Sequence, residues 1–167
     1  MIIFTDVISG DEVCSDAFEM KENQGVFWEV NCPMEVVKDG EVDIGANASA
    51  EEQAEALEDG AVTVNSLIHT FRLQATSFDK KSYLTYLKGY MKAIKAHLQE
   101  TKPDRVADFE KEAAAAAKNI VANFKDYEFY IGEKMNPDGM VALLNYREDG
   151  VTPYFTFWKD GLNEMKV

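Results

Sequence analysis

The feature that most constrains this chain is a change of hydrophobic period in its middle third. From about Asp79 onward, apolar residues recur at Tyr83, Leu84, Leu87, Tyr90, Met91, Ile94 and Leu98. Steps of three and four place these residues in one stripe along an α-helix. Thr101-Lys-Pro103-Asp104 then stops that helix and starts another, with Pro103 suited to a first turn where its missing N–H costs nothing. Val106, Phe109, Ala113, Ala117, Ile120, Val121 and Phe124 resume the same rhythm. So short a connection predicts an antiparallel helical hairpin over 79–124. The alanines from Ala113 to Ala117 add little bulk and let the two helices approach closely.

On both sides of the hairpin the pattern belongs to strands. Met1 to Phe4, Val26 to Val30 and Met34 to Val37 are rich in branched and aromatic residues and are punctuated by turn sequences at Ser9-Gly10-Asp11 and Lys38-Asp39-Gly40. Val62 to Leu73 reads as one long strand, with Leu67, His69, Phe71 and Leu73 along one face. After Lys125, Tyr127 to Ile131, Met140 to Tyr146 and Tyr154 to Lys159 form a meander, separated by turns over 135–139 and 147–150. Neither repeats nor a proline- or glycine-rich linker divide the chain, so the strands before and after the hairpin are expected to share one sheet system. The prediction is an α+β fold in a single domain over 1–167, with a β-core of 1–47, 62–78 and 125–167. Between Glu41 and Asp59 stand seven acids and no base, and a short helix starting at Ser49 would have only alanines and Leu57 to bury. A mobile acidic loop over 48–61 follows from that composition.

Charge and motifs exclude several classes of function. The net charge of −13 opposes binding of the whole molecule to DNA. That charge is unevenly spread, since Lys80 to Lys102 contains six lysines and one acid, a local +5, leaving −18 for the remainder. The N-terminus lacks a basic leader, and no apolar run approaches the ~20 residues that cross a bilayer, so a cytoplasmic protein without membrane contact is expected. Cys14 and Cys32 form no CxxC pair and read as two free thiols in a reducing compartment, with a single disulfide between them as the alternative. HExxH, GxxxxGK[ST] and GxGxxG are all absent, and the two histidines, His69 and His97, fall on different elements. No catalytic constellation emerges, and a non-enzymatic binding protein is the expectation.

At 100° per residue, Lys81, Lys88, Lys92 and Lys95 occupy a sector about 60° wide beside the apolar stripe. Such a face attracts acidic partners, although a solvated flank that keeps a helix soluble has the same composition.

Two longer stretches carry a resemblance. Ile44-Gly-Ala-Asn-Ala-Ser-Ala-Glu51, followed by the acidic segment, resembles the first signature of the translationally controlled tumour protein family. Phe124-Lys-Asp-Tyr-Glu-Phe-Tyr-Ile-Gly-Glu133, continuing through Met135 to Gly150, resembles the second. The opening Met-Ile-Ile, the Ser-Gly-Asp-Glu turn and the closing Phe-Trp-Lys-Asp-Gly161 fit in order, so the resemblance covers the whole chain. It implies a twisted β-tent of mixed or antiparallel strands with a protruding helical hairpin and a mobile acidic loop.

The resemblance also implies functions and sites. The family's members are cytoplasmic, partly cytoskeleton-associated proteins tied to protein synthesis, the ribosome or translation factors, tubulin and microtubules, and small GTPases. A monomer with no required cofactor and weak calcium binding is implied. The calcium ligands map onto Asn47, Glu128 and Asp138, and a small-GTPase contact maps onto Glu12. Plain turn chemistry accounts for the same residue types at these positions. The alternative to a scaffold is action on a GTPase as an exchange factor or nucleotide-free chaperone. A zinc site of the related cysteine-bearing chaperone family is not implied, because its paired cysteine motifs are missing.

Overall fold

The computed structural model describes residues 1–38 and 61–167. Asn47, the first signature and the acidic segment expected over 48–61 therefore lie outside the described residues, except for Ala61.

Eleven strands and three α-helices are described. The strands before the hairpin are β1 (Ile2–Asp6), β2 (Glu12–Ser15), β3 (Met20–Asn23), β4 (Phe27–Asn31), β5 (Met34–Lys38), β6 (Ala61–Asn65) and β7 (Gln74–Thr76). Helix α1 (Ser66–Phe71) lies between β6 and β7, and the hairpin is α2 (Lys80–Thr101) and α3 (Val106–Ala122). After it come β8 (Glu128–Ile131), β9 (Ala142–Tyr146), β10 (Pro153–Trp158) and β11 (Leu162–Lys166). Three sheets result, with strand orders β3-β4-β10-β9-β8-β7, β11-β1-β2 and β5-β6. Every described pairing is antiparallel. In the largest sheet β4 lies beside β10, so strands from before and after the hairpin share a sheet as expected.

One part of the sequence reading is corrected. Val62 to Leu73 is not one strand, because the chain turns into α1 at Ser66 and only Gln74–Thr76 returns to a sheet. Asn65 is the cause. Its side-chain oxygen accepts hydrogen bonds from the N–H groups of Leu67 and Ile68 at 3.0 and 3.2 Å, capping a helix in place of a continued ladder. Arg72, at φ 56°, closes that helix in the left-handed region, and His69 is therefore an exposed helical residue. Strand β11 was not anticipated. Its register with β1 runs from Ile2–Lys166 to Asp6–Leu162, which ties the two ends of the chain into one ladder.

The hairpin forms where the periodicity places it. Asp79 caps α2 reciprocally, accepting from the Ser82 N–H at 2.7 Å while its own N–H donates to the Ser82 hydroxyl at 3.1 Å. Tyr83, Leu87, Tyr90, Ile94 and Leu98 are the buried face of α2, and Phe109, Ala113, Ala116 and Ile120 that of α3. These residues join one contiguous core with Phe129, Leu143, Phe155, Phe157 and Trp158. Each large side chain fully withdrawn from water contributes about 1.5–3 kcal/mol. Tyr83 sits at the seam, its ring centroid 5.3 Å from Phe129 on β8 and 5.8 Å from Phe124 after α3.

Polar contacts fix the hairpin to the sheets at two further points. The Tyr86 hydroxyl donates to the Gly139 carbonyl at 2.7 Å and accepts from the Val141 N–H at 3.0 Å. At the far end, just before α3, the Arg105 guanidinium grips Asp160 through Nε and Nη2 at 3.0 and 2.9 Å. Nη2 also donates to the Gly25 carbonyl at 3.0 Å, and Nη1 lies 2.8 Å from the Glu112 carboxylate. The bidentate bond to Asp160 is the main reason the Arg105 pKa is raised further.

Candidate functional site

Three surfaces carry the residues singled out from the sequence, and the structure treats each differently. On α2, Lys81, Lys88 and Lys92 are exposed, and none has an ion-pair partner among the described residues. Lys95 differs, because its ammonium lies 3.0 Å from the Glu110 carboxylate of α3. Among the described residues the face is thus three unpaired ammonium groups and one that braces the hairpin. Lys92 and Lys95 border a shallow groove of about 300 Å³ between the helices, floored by Met91, Phe109, Ala113 and Ala117. The narrow alanine side chains keep that floor low.

Glu12 opens β2 and is exposed, without an ion-pair partner among the described residues. Its turn is held from beneath by two buried acids that sequence reasoning did not single out. Asp6 accepts from the Ile8 N–H at 2.9 Å, the Ser9 hydroxyl at 2.8 Å and the Met140 N–H at 2.7 Å. Asp11 accepts from the Lys134 N–H at 3.3 Å. Buried carboxylates persist only when hydrogen-bonded in this way. The first turn and the 132–140 loop are consequently one unit. Glu12 projects from it into a polar hollow of about 410 Å³, shared with Asp11, Thr70, Arg72, Glu133 and Lys134. The detectable signal was an acid on either side of Ser9-Gly10, but which partner those acids serve depends on a loop more than a hundred residues away.

The residues mapped to calcium are not gathered into one cluster. Asn47 lies outside the described residues. Glu128, at the start of β8, and Asp138, in the turn before β9, are exposed and line different hollows, of about 420 and 890 Å³. The Asp138 N–H donates to the Asn136 side chain at 2.9 Å, as an Asx turn does. Among the described residues no three histidine, cysteine, aspartate or glutamate side chains converge as a metal would need.

Both cysteines are buried free thiols. Burial pushes the Cys14 pKa strongly upward and that of Cys32 up to about 11. His97 is half-buried beside a small cleft of about 180 Å³ with Lys102, Lys159 and Asp160. Among the described residues no helix is long and apolar enough to cross a membrane.

Comparison with known proteins places the chain in a family. The sequence profile of the family described as Translationally controlled tumour protein matches residues 1–163. A Translationally-controlled tumor protein homolog of Mycosarcoma maydis is 65% identical over 167 residues, covering all of both chains. The homolog of Yarrowia lipolytica is 64% identical, again over all of both chains. Among solved structures, the Translationally Controlled Tumor-associated Protein of Schizosaccharomyces pombe aligns with a TM-score of 0.85 at 60% identity, covering both chains in full. The solution structure of the Caenorhabditis elegans protein aligns at 0.74 and 28% identity, over 100% of this chain and 99% of that one. With a family profile and close relatives spanning its length, and with the α+β architecture shared by both solved structures, this chain belongs to the translationally controlled tumour protein family.

Proposed function

We propose that this chain is a non-enzymatic cytoplasmic binding protein that serves protein synthesis and microtubules by docking acidic partner surfaces on the lysine face of α2. The observation carrying this reading is the set of three exposed ammonium groups, Lys81, Lys88 and Lys92, without carboxylate partners among the described residues, on a helix fixed at both ends. In a chain of net charge −13, that concentration of positive charge gives an acidic partner an oriented landing point. Acidic tubulin tails and ribosomal surfaces have the matching charge. Pull-down from extract with Lys81, Lys88 and Lys92 all changed to Glu tests it. Loss of tubulin or ribosomal partners supports the reading, and undiminished capture of both refutes it.

A second reading has its own observation. Glu12 is exposed on a turn whose backbone is pinned by Asp6 and Asp11, a suitable mount for a carboxylate that engages a lysine or arginine of a small GTPase. Action as an exchange factor predicts faster nucleotide release from a purified GTPase and loss of that effect with Glu12→Lys. An unchanged release rate leaves the scaffold reading alone.

A further inference from the structure

A sheet edge is a row of unpaired N–H and C=O groups, and proteins guard such edges with charge, proline or cover. Three of the four edges of the two larger sheets are guarded. Strand β11 exposes Glu164 and Lys166, and β3 exposes Lys21 and Glu22. Strand β2 buries Val13, Cys14 and Ser15 and packs against α1. The fourth edge, β7, is Gln74-Ala75-Thr76, with no charge, no proline and Ala75 exposed. Among the described residues its only strand partner is β8.

The surroundings of β7 add a second observation. Ala75 lies opposite Tyr130 and Thr76 opposite Phe129, so consecutive residues of β7 point to opposite faces. Two hollows adjoin the edge around Thr76. The one beyond Ile131, about 890 Å³, is lined by Phe78, Tyr86, Pro137 and Val141. The other, about 420 Å³, is lined by Ala75, Phe124, Tyr127, Phe129 and Tyr130. Thr76, Ser77 and Phe78 border both. The Phe78 ring packs edge-on against Tyr83 and Phe129 at 5.6 and 5.5 Å, which makes the dividing wall rigid. Charge completes the pattern. Asp138 at the larger hollow and Glu128 at the smaller are exposed carboxylates outside any ion pair among the described residues, with Lys125 also at the smaller.

We infer that the β7 edge receives an extended peptide segment of a partner protein, which adds as a further strand. Apolar side chains of the segment enter the two hollows, and a basic residue meets Asp138 or Glu128. Backbone hydrogen bonding holds the segment, and the hollows select its sequence. This surface is separate from the lysine face of α2 and stands or falls independently of it.

The test uses a fluorescein-labelled peptide, Lys-Val-Phe-Val-Thr-Lys, titrated into the full chain in buffer containing EDTA, so that no divalent cation occupies the two carboxylates. Saturable binding is expected, with slowed amide exchange confined to residues 74–77. A version N-methylated at alternate backbone nitrogens cannot complete the ladder and should bind at least about tenfold more weakly, as should the plain peptide to the Ala75→Lys variant. Ala75 is exposed, and unchanged circular dichroism confirms that the variant is folded. Absence of saturation up to about 1 mM, equal binding of the methylated peptide, or protection appearing elsewhere would each overturn the inference.

Discussion

Removing Arg105 should loosen the mount of the hairpin more than any other single surface change. In Arg105→Leu, Asp160, whose side chain is 7% exposed in the intact pair, loses both bonds of that pair, and Glu112 loses its cation. A buried carboxylate left without its partner costs about 3–5 kcal/mol, whereas global stabilities are of order 5–15 kcal/mol. At about 2–4 °C per kcal/mol for a chain of this size, the midpoint should fall by roughly 6–20 °C. Asp160→Leu should cost less, about 1–3 kcal/mol, because Arg105 keeps Glu112 and the Gly25 carbonyl. The double variant should then cost less than the sum of the two singles, with a coupling of about 0.5–3 kcal/mol. Urea unfolding of the four proteins measures this, with an unchanged m-value confirming that the unfolded reference is the same. The sign with pH also follows. The raised Arg105 pKa means its stabilisation would be lost only as pH climbs past an already very basic value, so the effect should be flat between about pH 5 and 9. A cost for Arg105→Leu below about 1 kcal/mol, or strict additivity, refutes the clamp.

Three further outcomes follow from the core. With burial raising the Cys32 pKa from 9.0 to about 11 and that of Cys14 further, neither thiol should react with iodoacetamide in the native state at neutral pH, while both should react in urea; rapid native labelling would contradict their burial. The same shift implies that the stability Cys32 contributes is full below pH 9.0 and declines as pH rises toward 11, which urea midpoints across that window can read. Gly161 has no room for a side chain, since an added Cβ would collide with the Tyr90 hydroxyl and lie 2.7 Å from Met140 Cε. Gly161→Ala should cost about 1–3 kcal/mol, and adding Tyr90→Phe should recover part of that loss; no recovery would place the clash elsewhere.

The hairpin was legible because its information is local. A stripe of period 3.6, a proline at the restart and alanines at the close approach are all written within one stretch of chain, and Tyr83, Leu87, Tyr90, Ile94 and Leu98 are buried as that stripe requires. Helix α1 was missed because six residues are too few to establish a period, and Leu67, His69, Phe71 and Leu73 mimic strand alternation. The capping role of Asn65 was the one local signal that could have corrected it. Strand β11 carries a polar edge sequence, Leu-Asn-Glu-Met-Lys, whose strand state is set by pairing with β1 at the other end of the chain. The same distance hid Asp6, Asp11 and the Arg105–Asp160 pair. Their residue types are ordinary in an acidic chain, and only the fold shows that Asp6 reaches Met140 and Arg105 reaches Asp160. Of the lysine sector, helical geometry placed all four residues on one side, but the diversion of Lys95 to Glu110 required the packing of α3 against α2.

The lysine face is tested most directly by sedimentation with microtubules assembled from purified tubulin, comparing the wild-type chain with Lys81→Glu/Lys88→Glu/Lys92→Glu at about 50 and 150 mM salt. Docking through these ammonium groups predicts that the wild-type chain co-sediments, that higher salt weakens the association several-fold, and that the triple variant stays in the supernatant at both salts. Equal co-sedimentation of the two proteins, insensitive to salt, would contradict it and leave the lysines as a solvated helix flank.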